Sequence, residues 1–265
     1  MKTVKSGSSF LKLISLNIEG DKHIPDVLAF LKREKPEVVC LQEVYLQDFE
    51  FFKKELGMKG EHALMIKKPL YTKKDTGVPF PYGICLLSKY PFQQFRQSYY
   101  HGNAASVPEL QKEDPNKEYG VLLYGTLEKE NVKFTIGTTH FTWTPNGQAD
   151  ERQREHLSAL LKILKGIPEI VFCGDFNAPR GREIFAKIAQ QYIDHIPKKY
   201  ATSINKDVHQ KGGLQLMVDG LFSTPHYKTR NVRLVKAGSD HLAITAEIAR
   251  QTIKRQTKGP LRRGL

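Results

Sequence analysis

The chain has 265 residues, 40% of them hydrophobic, which is enough to bury a core without disulfides and too apolar for a disordered polymer. No apolar run approaches the ~20 residues of a membrane-spanning helix, and the amino terminus, MKTVKSGSSFLKLISLNI, lacks the apolar stretch and cleavage site of a signal peptide, so a cytoplasmic protein is expected. Lys and Arg number 41 against 28 acidic residues, a net charge of +13 that favours a polyanionic partner, nucleic acid first, with simple solubility as the plainer reading.

In chain order, KLISLNI (residues 12–18) has the apolar content of a buried strand. Ile24, Val27, Leu28 and Leu31 then fall on one helical face, with Pro25 tolerated in the first turn and Pro36 as the stop. VVCLQEV (residues 38–44) reads as a second buried strand, followed by a Phe-rich helix ending near Gly57. A β-rich middle follows in HALMI, YGICLLS, YGVLLYGTL and VKFTIGTTH. Leu157, Leu160, Leu161 and Leu164 give another helical face closed by Gly166 and Pro168, then IVFC a strand and residues 181–190 a short helix. Strands return at LQLMVDGLF, NVRLV and HLAITAEI. Helix-flanked strands at both ends, with strand pairs between, predict two sheets packed face to face with helices outside. Polar loops are expected at residues 67–81, 101–118 and 198–213; loops of about 15 residues in a compact domain are commonly functional. No repeat or linker divides the chain, so one domain is expected at residues 11–249, between an extension at 1–10 and a basic tail at 250–265. Cys40, Cys85 and Cys173 each lie in an apolar run, and their spacing fits neither a disulfide framework nor a zinc site.

Polar residues recur where apolar strands end. Asn17 closes the first strand and Glu43 the second; His140 ends FTIGTTH; Asp175 and Asn177 follow IVFC in GDFNAPR; Asp219 lies in LMVDGLF; Asp240 and His241 precede the final strand in GSDHLAI. Singly, Asn17 could cap a turn, His140 could be a satisfied core histidine, and Asp219 could bond backbone. Together they are harder to dismiss, because a buried charge costs several kcal/mol unless paired or metal-bound. A set rich in hard oxygen donors suits Mg2+, with Mn2+ as substitute, better than zinc.

The ordered set LNI, LQEV, TTHFTW, GDFNAPR, VDGLF and GSDH resembles the endonuclease/exonuclease/phosphatase superfamily, deoxyribonuclease I-like, over about residues 11–248. The resemblance implies a four-layer α/β/β/α sandwich and a Mg2+-dependent phosphoesterase. It gives Glu43 the role of main metal ligand, with Asn17 beside it holding metal or phosphate and Asp240 near a metal contact. It makes Asp175 the group that accepts a proton from, or orients, the attacking water, and Asn177 its positioner. His241, its ring held by Asp219, would bind the scissile phosphate, and His140 would stabilise charge or help protonate the leaving oxygen. The carboxylate partner of His140 is not placed.

Trp143 is a candidate wall of the pocket, and Arg152, Gln153 and Arg154 either pack behind the site or form a solvated helix start. Lys67, Lys68, Lys73 and Lys74 alternate with Tyr71, Phe80 and Tyr82, a pattern suited to phosphate contacts with base stacking or, more plainly, to a solvated loop; Lys73 and Lys74 are candidate substrate contacts. Histidine at position 140 resembles the deoxyribonuclease, tyrosyl-DNA phosphodiesterase and sphingomyelinase types, whereas WTPNG resembles the AP endonuclease loop. These subfamily signals conflict, and it is the net charge of +13 and the basic loops that favour a nuclease or DNA-repair phosphodiesterase, a monomer acting on nucleic acid, DNA first. The alternatives are a phosphatase or phospholipase acting on inositol phosphates or phospholipid heads, and a noncatalytic nucleic-acid-binding relative.

Overall fold

The computed structural model describes residues 9–72, 78–110, 118–211 and 213–251. Lys73, Lys74, most of the expected extension and the tail beyond Gln251 lie outside the described residues. Two six-stranded sheets form. The first has the order β11-β12-β1-β2-β4-β3 and the second β5-β6-β7-β8-β10-β9. Here β1 is Leu11–Asn17, β2 Val38–Tyr45, β3 Lys59–Lys68, β4 Phe80–Ser88, β5 Phe92–His101 and β6 Gly120–Lys129; β7 is Val132–His140, β8 Val171–Asp175, β9 Ile193–Asp194, β10 Asp219–Ser223, β11 Tyr227–Lys236 and β12 Leu242–Arg250.

Three apolar cores explain four layers. Alternate residues such as Leu13, Cys40, Leu123, Ile136 and Cys173 meet between the sheets. The opposite face of the first sheet, with Ile14, Val39 and Leu41, is covered by α1 (Ile24–Glu34) and α2 (Leu46–Leu56). The outer face of the second, with Leu122 and Phe172, is covered by α3 (Glu151–Lys165) and α4 (Glu183–Ala189). Strands buried on both faces read as near-continuous apolar runs. The expected four-layer α/β/β/α sandwich is the observed architecture, and the three cysteines are free and buried.

Direction of travel places the site. β1 runs parallel to β2, and β7 runs parallel to β8. Asn17, Glu43, His140 and Asp175 therefore sit at or near the carboxyl ends of neighbouring strands. β10 and β12 run antiparallel to β8 and β1, so Asp219 and the Asp240–His241 pair enter from that same end.

Some expected elements differ. β5 was not expected as a strand: its Gln- and Arg-rich sequence lies at a sheet edge, and only Tyr100 in it is buried. The strand expected over LQLMVDGLF begins only at Asp219; before it, Val218 donates its amide to Ser203 Oγ at 3.1 Å, and Leu216 accepts from the Ser203 amide at 3.1 Å. Lys67 and Lys68 belong to β3, and Phe80 and Pro81 to β4, which shortens the first expected loop. Arg250, expected to open the tail, is the last residue of β12, and its guanidinium forks onto Glu169 at 2.7 Å through both Nε and Nη2.

Candidate active site

Glu43 occupies a bulge in β2. Gln42 pairs with Ile84 and Val44 with Gly83, which leaves Glu43 unpaired at φ 60° and turns it out of the ladder. Its Oε1 accepts from Asn17 Nδ2 at 2.9 Å, and its Oε2 accepts from the hydroxyls of Tyr82 at 2.5 Å and Tyr71 at 3.3 Å. Burial alone would push this carboxyl up, but Lys68, His140 and the hydroxyl and amide donors outweigh it and hold it at about 2. It is ionised.

Asn17 bridges the sheets. Its Nδ2 also donates to Asp175 Oδ2 at 3.1 Å, while its Oδ1 accepts the Glu19 amide at 3.1 Å. The amide nitrogen, not the oxygen, thus faces the carboxylates. Asp175 is 2% exposed, and its Oδ1 accepts the Asn177 amide at 2.7 Å. Burial, reinforced by Asp219, pushes Asp175 up to about 6 against the pull of His241 and His140.

The two histidines flank Asp175. His241 Nδ1 lies 2.7 Å from Asp219 Oδ2, and its Nε2 lies 3.7 Å from Asp175 Oδ2. Burial disfavours the imidazolium, yet Asp219 and then Asp175 raise His241 well above the ordinary range. His140 Nε2 is 3.7 Å from the same Asp175 oxygen and 3.8 Å from Glu43 Oε1. Its Nδ1 lies 3.4 Å from Glu118 Oε1, close enough for charge attraction but without a well-directed hydrogen bond. Burial lowers His140, and Glu118, Glu43 and Asp175 together raise it to about 9. Against them, Asn177 Nδ2 donates to Phe141 O at 2.8 Å and stands 3.0 Å from His140 Nε2. That second contact is a hydrogen bond only while Nε2 is bare, so the amide favours the neutral tautomer carrying its proton towards Glu118.

Asp240 is 9% exposed and raised by burial. It is fixed through its backbone, whose carbonyl accepts from the Asn205 amide at 2.7 Å, and by Ser239, whose hydroxyl donates to Asn17 O at 2.7 Å. Trp143, 53% exposed, lines the mouth of the resulting cleft of about 450 Å3. Asn17, Glu43, His140, Asp175, Asn177, Asp219, Asp240 and His241 are thus brought together. Gln153 packs behind, its Nε2 donating to Thr142 O at 2.8 Å, whereas Arg154 turns to Glu183 at 2.9 Å.

Glu118 was missed, although the strand-end rule that selected the others would have found it: β6 starts beside the end of β7 and Glu118 just precedes β6. Lys68, Tyr71 and Tyr82 are expected either to contact phosphates and bases or to lie in a solvated loop, and the structure shows neither. Instead Tyr82 is wholly buried, and the Lys68 ammonium lies 3.3 Å from its ring centroid and donates to the Tyr71 hydroxyl at 2.8 Å. These side chains face Glu43 rather than a nucleobase. Ser203, Asn205 and Ser239 carry no spacing signal that could have singled them out.

Among the described residues, no three His, Cys, Asp or Glu side chains form a ready-made metal cage. One ionised carboxylate opening on a polar cleft is nevertheless the donor Mg2+ accepts, since that ion keeps several waters and completes its shell with substrate phosphate. The donor set fits such a cation. No helix among the described residues is long and apolar enough to cross a membrane.

Nocturnin of Drosophila melanogaster is 24% identical over 163 residues, covering 59% of this chain and 24% of that protein, so the chain spans about a quarter of that relative's length. An endonuclease/exonuclease/phosphatase from Bacteroides vulgatus superposes with a TM-score of 0.69 at 16% identity, covering 92% of this chain and 100% of that one. D. rerio TDP2 complexed with single-strand DNA product superposes with a TM-score of 0.63 at 16% identity, covering 91% and 99%. Residues 14–241 match the Endonuclease/Exonuclease/phosphatase family, a span that takes in every residue named in the cleft. The chain belongs to this family.

Proposed function

We propose that the protein is a Mg2+-dependent phosphodiesterase that cleaves nucleic acid, with DNA repair or turnover as its setting. The reading rests on one juxtaposition: ionised Glu43 beside a buried Asp175 that has a histidine 3.7 Å away on either side. Glu43 would hold the cation, with Asp240 bordering it and Asn17 aligning Glu43 and Asp175. When bound, the cation supplies Lewis-acid polarisation of a phosphate oxygen.

The chain's own groups do the rest. Asp175 takes the proton of the attacking water as the new P–O bond forms and the bond to the leaving oxygen breaks. Asn177 fixes Asp175 through its backbone N–H. His241, kept charged by Asp219, directs Nε2–H at the phosphate oxygens that gain negative charge in the transition state. His140, whose imidazolium Glu118, Glu43 and Asp175 favour, stands opposite and in that protonated form stabilises or protonates the leaving oxygen. Trp143 offers a ring at the mouth. The net charge of +13 supports a polyanionic substrate, and the likeness to a protein held with a DNA product is compatible with it.

A panel assay tests this, comparing single- and double-stranded DNA, abasic DNA, 5′-tyrosyl DNA, RNA, inositol phosphates and sphingomyelin, with and without Mg2+. Strand cleavage that EDTA abolishes is expected, with Asp175→Asn and His241→Ala each lowering kcat by ~10²-fold or more. Turnover confined to inositol phosphates or sphingomyelin would overturn the nucleic-acid reading, and chelator-insensitive turnover would overturn the metal.

A further inference from the structure

Beside the catalytic cleft lies a second recess of about 390 Å3, within the range of small-ligand sites. Leu216 lines both hollows, so they share a wall. Their charges differ. The cleft mixes Glu19, Glu43, Asp175 and Asp240 with Lys22, Lys211 and His241, whereas the recess carries Arg180, Arg182 and Lys198 with Tyr200 and no acidic residue.

These cations are not equivalent. Arg180 is compensated, its Nη2 lying 3.0 Å from Asp194 Oδ2 and donating to Ile196 O at 3.0 Å. Arg182 bonds a neutral group, the carbonyl of Asn146, and neither it nor exposed Lys198 has a carboxylate partner among the described residues. Half-buried Tyr200 supplies an aromatic ring, with the Lys199 ammonium 5.2 Å from its centroid. The floor is rigidly joined to the chemistry: Arg180 N–H donates to Met217 O at 2.8 Å and Phe176 N–H to Val218 O at 2.9 Å, and Asn177 lies between those two rungs.

We infer that this recess is a nucleotide subsite, receiving the phosphate and base next to the scissile phosphate of a single strand. Arg182 and Lys198 contact that phosphate, and Tyr200 stacks under the base. A basic hollow in which Arg182 and Lys198 lack carboxylate partners among the described residues, sharing a wall with the cleft, suits a substrate with a second phosphate beyond the scissile one, and a lone phosphomonoester leaves it unused. The inference rests on the nucleic-acid reading above and adds where the strand runs.

The test uses the full chain and a labelled single-stranded DNA octanucleotide. Binding is measured by fluorescence anisotropy in EDTA, where turnover is off. Kinetics are measured with Mg2+ on the same strand and on bis(p-nitrophenyl) phosphate, which has no neighbouring nucleotide. The double variant Lys198→Ala/Tyr200→Ala is expected to bind the strand about tenfold more weakly and to raise its KM about tenfold relative to the small diester. Its binding should also lose about one unit of salt slope, and Lys198→Arg alone should retain most of the wild-type affinity. Strand binding within twofold of wild type overturns the subsite, as does an equal loss on both substrates, which would place the defect in the cleft. Wild-type protein that binds the strand without cutting it defeats the nuclease reading, while the binding comparison still decides the recess. Failure of the wild type to bind defeats both.

Discussion

Glu43 shows what a single side chain requires to serve as an anionic anchor. Its backbone lies at φ 60°, a conformation that costs a residue with an ordinary side chain on the order of 1 kcal/mol or more. Gly20 N–H on Glu43 O at 3.0 Å and Ile18 N–H on Gln42 O at 3.1 Å hold that bend in place. The carboxylate then needs donors, and Tyr82 gives the shortest contact at 2.5 Å while its ring lies under the Lys68 ammonium. Tyr82→Phe retains the ring and its cation and removes only the donor. A hydrogen bond to a buried charge is worth about 1.5–3 kcal/mol, so urea unfolding should show a loss of that size. An unchanged midpoint would mean that Tyr71 and Asn17 satisfy the carboxylate without it.

At the scale of elements, the bulge that aims Glu43 depends on its neighbour. β4 passes beside it at Gly83, where an added Cβ would stand 2.0 Å from the Ala63 carbonyl oxygen in β3. Backbone cannot yield as a side chain can. Gly83→Ala should therefore cost about 2 kcal/mol or more in denaturant and, by displacing Glu43 by ~1 Å, lower kcat by ~10²-fold. Gly213→Ala, with nothing within 4 Å, is the control and should be neutral. Elements also divide what sequence can disclose. Buried strands such as VVCLQEV announce themselves because both faces are apolar, and a charge at their end stands out against that run. The edge strand Phe92–His101 carries no such contrast, since its pairing is satisfied by backbone rather than by burial. Nor could the stretch before Asp219 be told from a strand, because the Val218 amide goes to the Ser203 hydroxyl, 15 residues earlier, rather than to a neighbouring strand. The bulge arises only when β2 pairs with β4, and that pairing also brings the Tyr82 hydroxyl to Glu43, so spacing along the chain does not encode either.

For the whole molecule, the layers are tied by neutral histidines as well as by apolar contact. His195 joins the two sheets at the end away from the cleft, its Nε2 2.7 Å from Ser223 Oγ in β10 and its Nδ1 3.1 Å from Thr229 Oγ1 in β11. His62 bonds Val44 O at 2.9 Å. Burial pushes both down to about 4, against about 6.5 for an exposed imidazole. Between those values the unfolded chain holds more protons than the folded one, so stability is full above pH 6.5 and drains away as pH falls towards 4. Carboxyls raised by burial, Asp48 and Asp175 at about 6, act in the opposite sense over part of the same window, which makes the wild-type curve alone ambiguous. Comparing wild type with His195→Gln cancels them. The variant should be less stable at pH 7, and the gap should narrow by on the order of 1–2 kcal/mol at pH 5, because only the wild type must keep that imidazole uncharged. A gap that stays constant from pH 7 to pH 5 would mean that His195 titrates alike in both states and that the seam tolerates its charge.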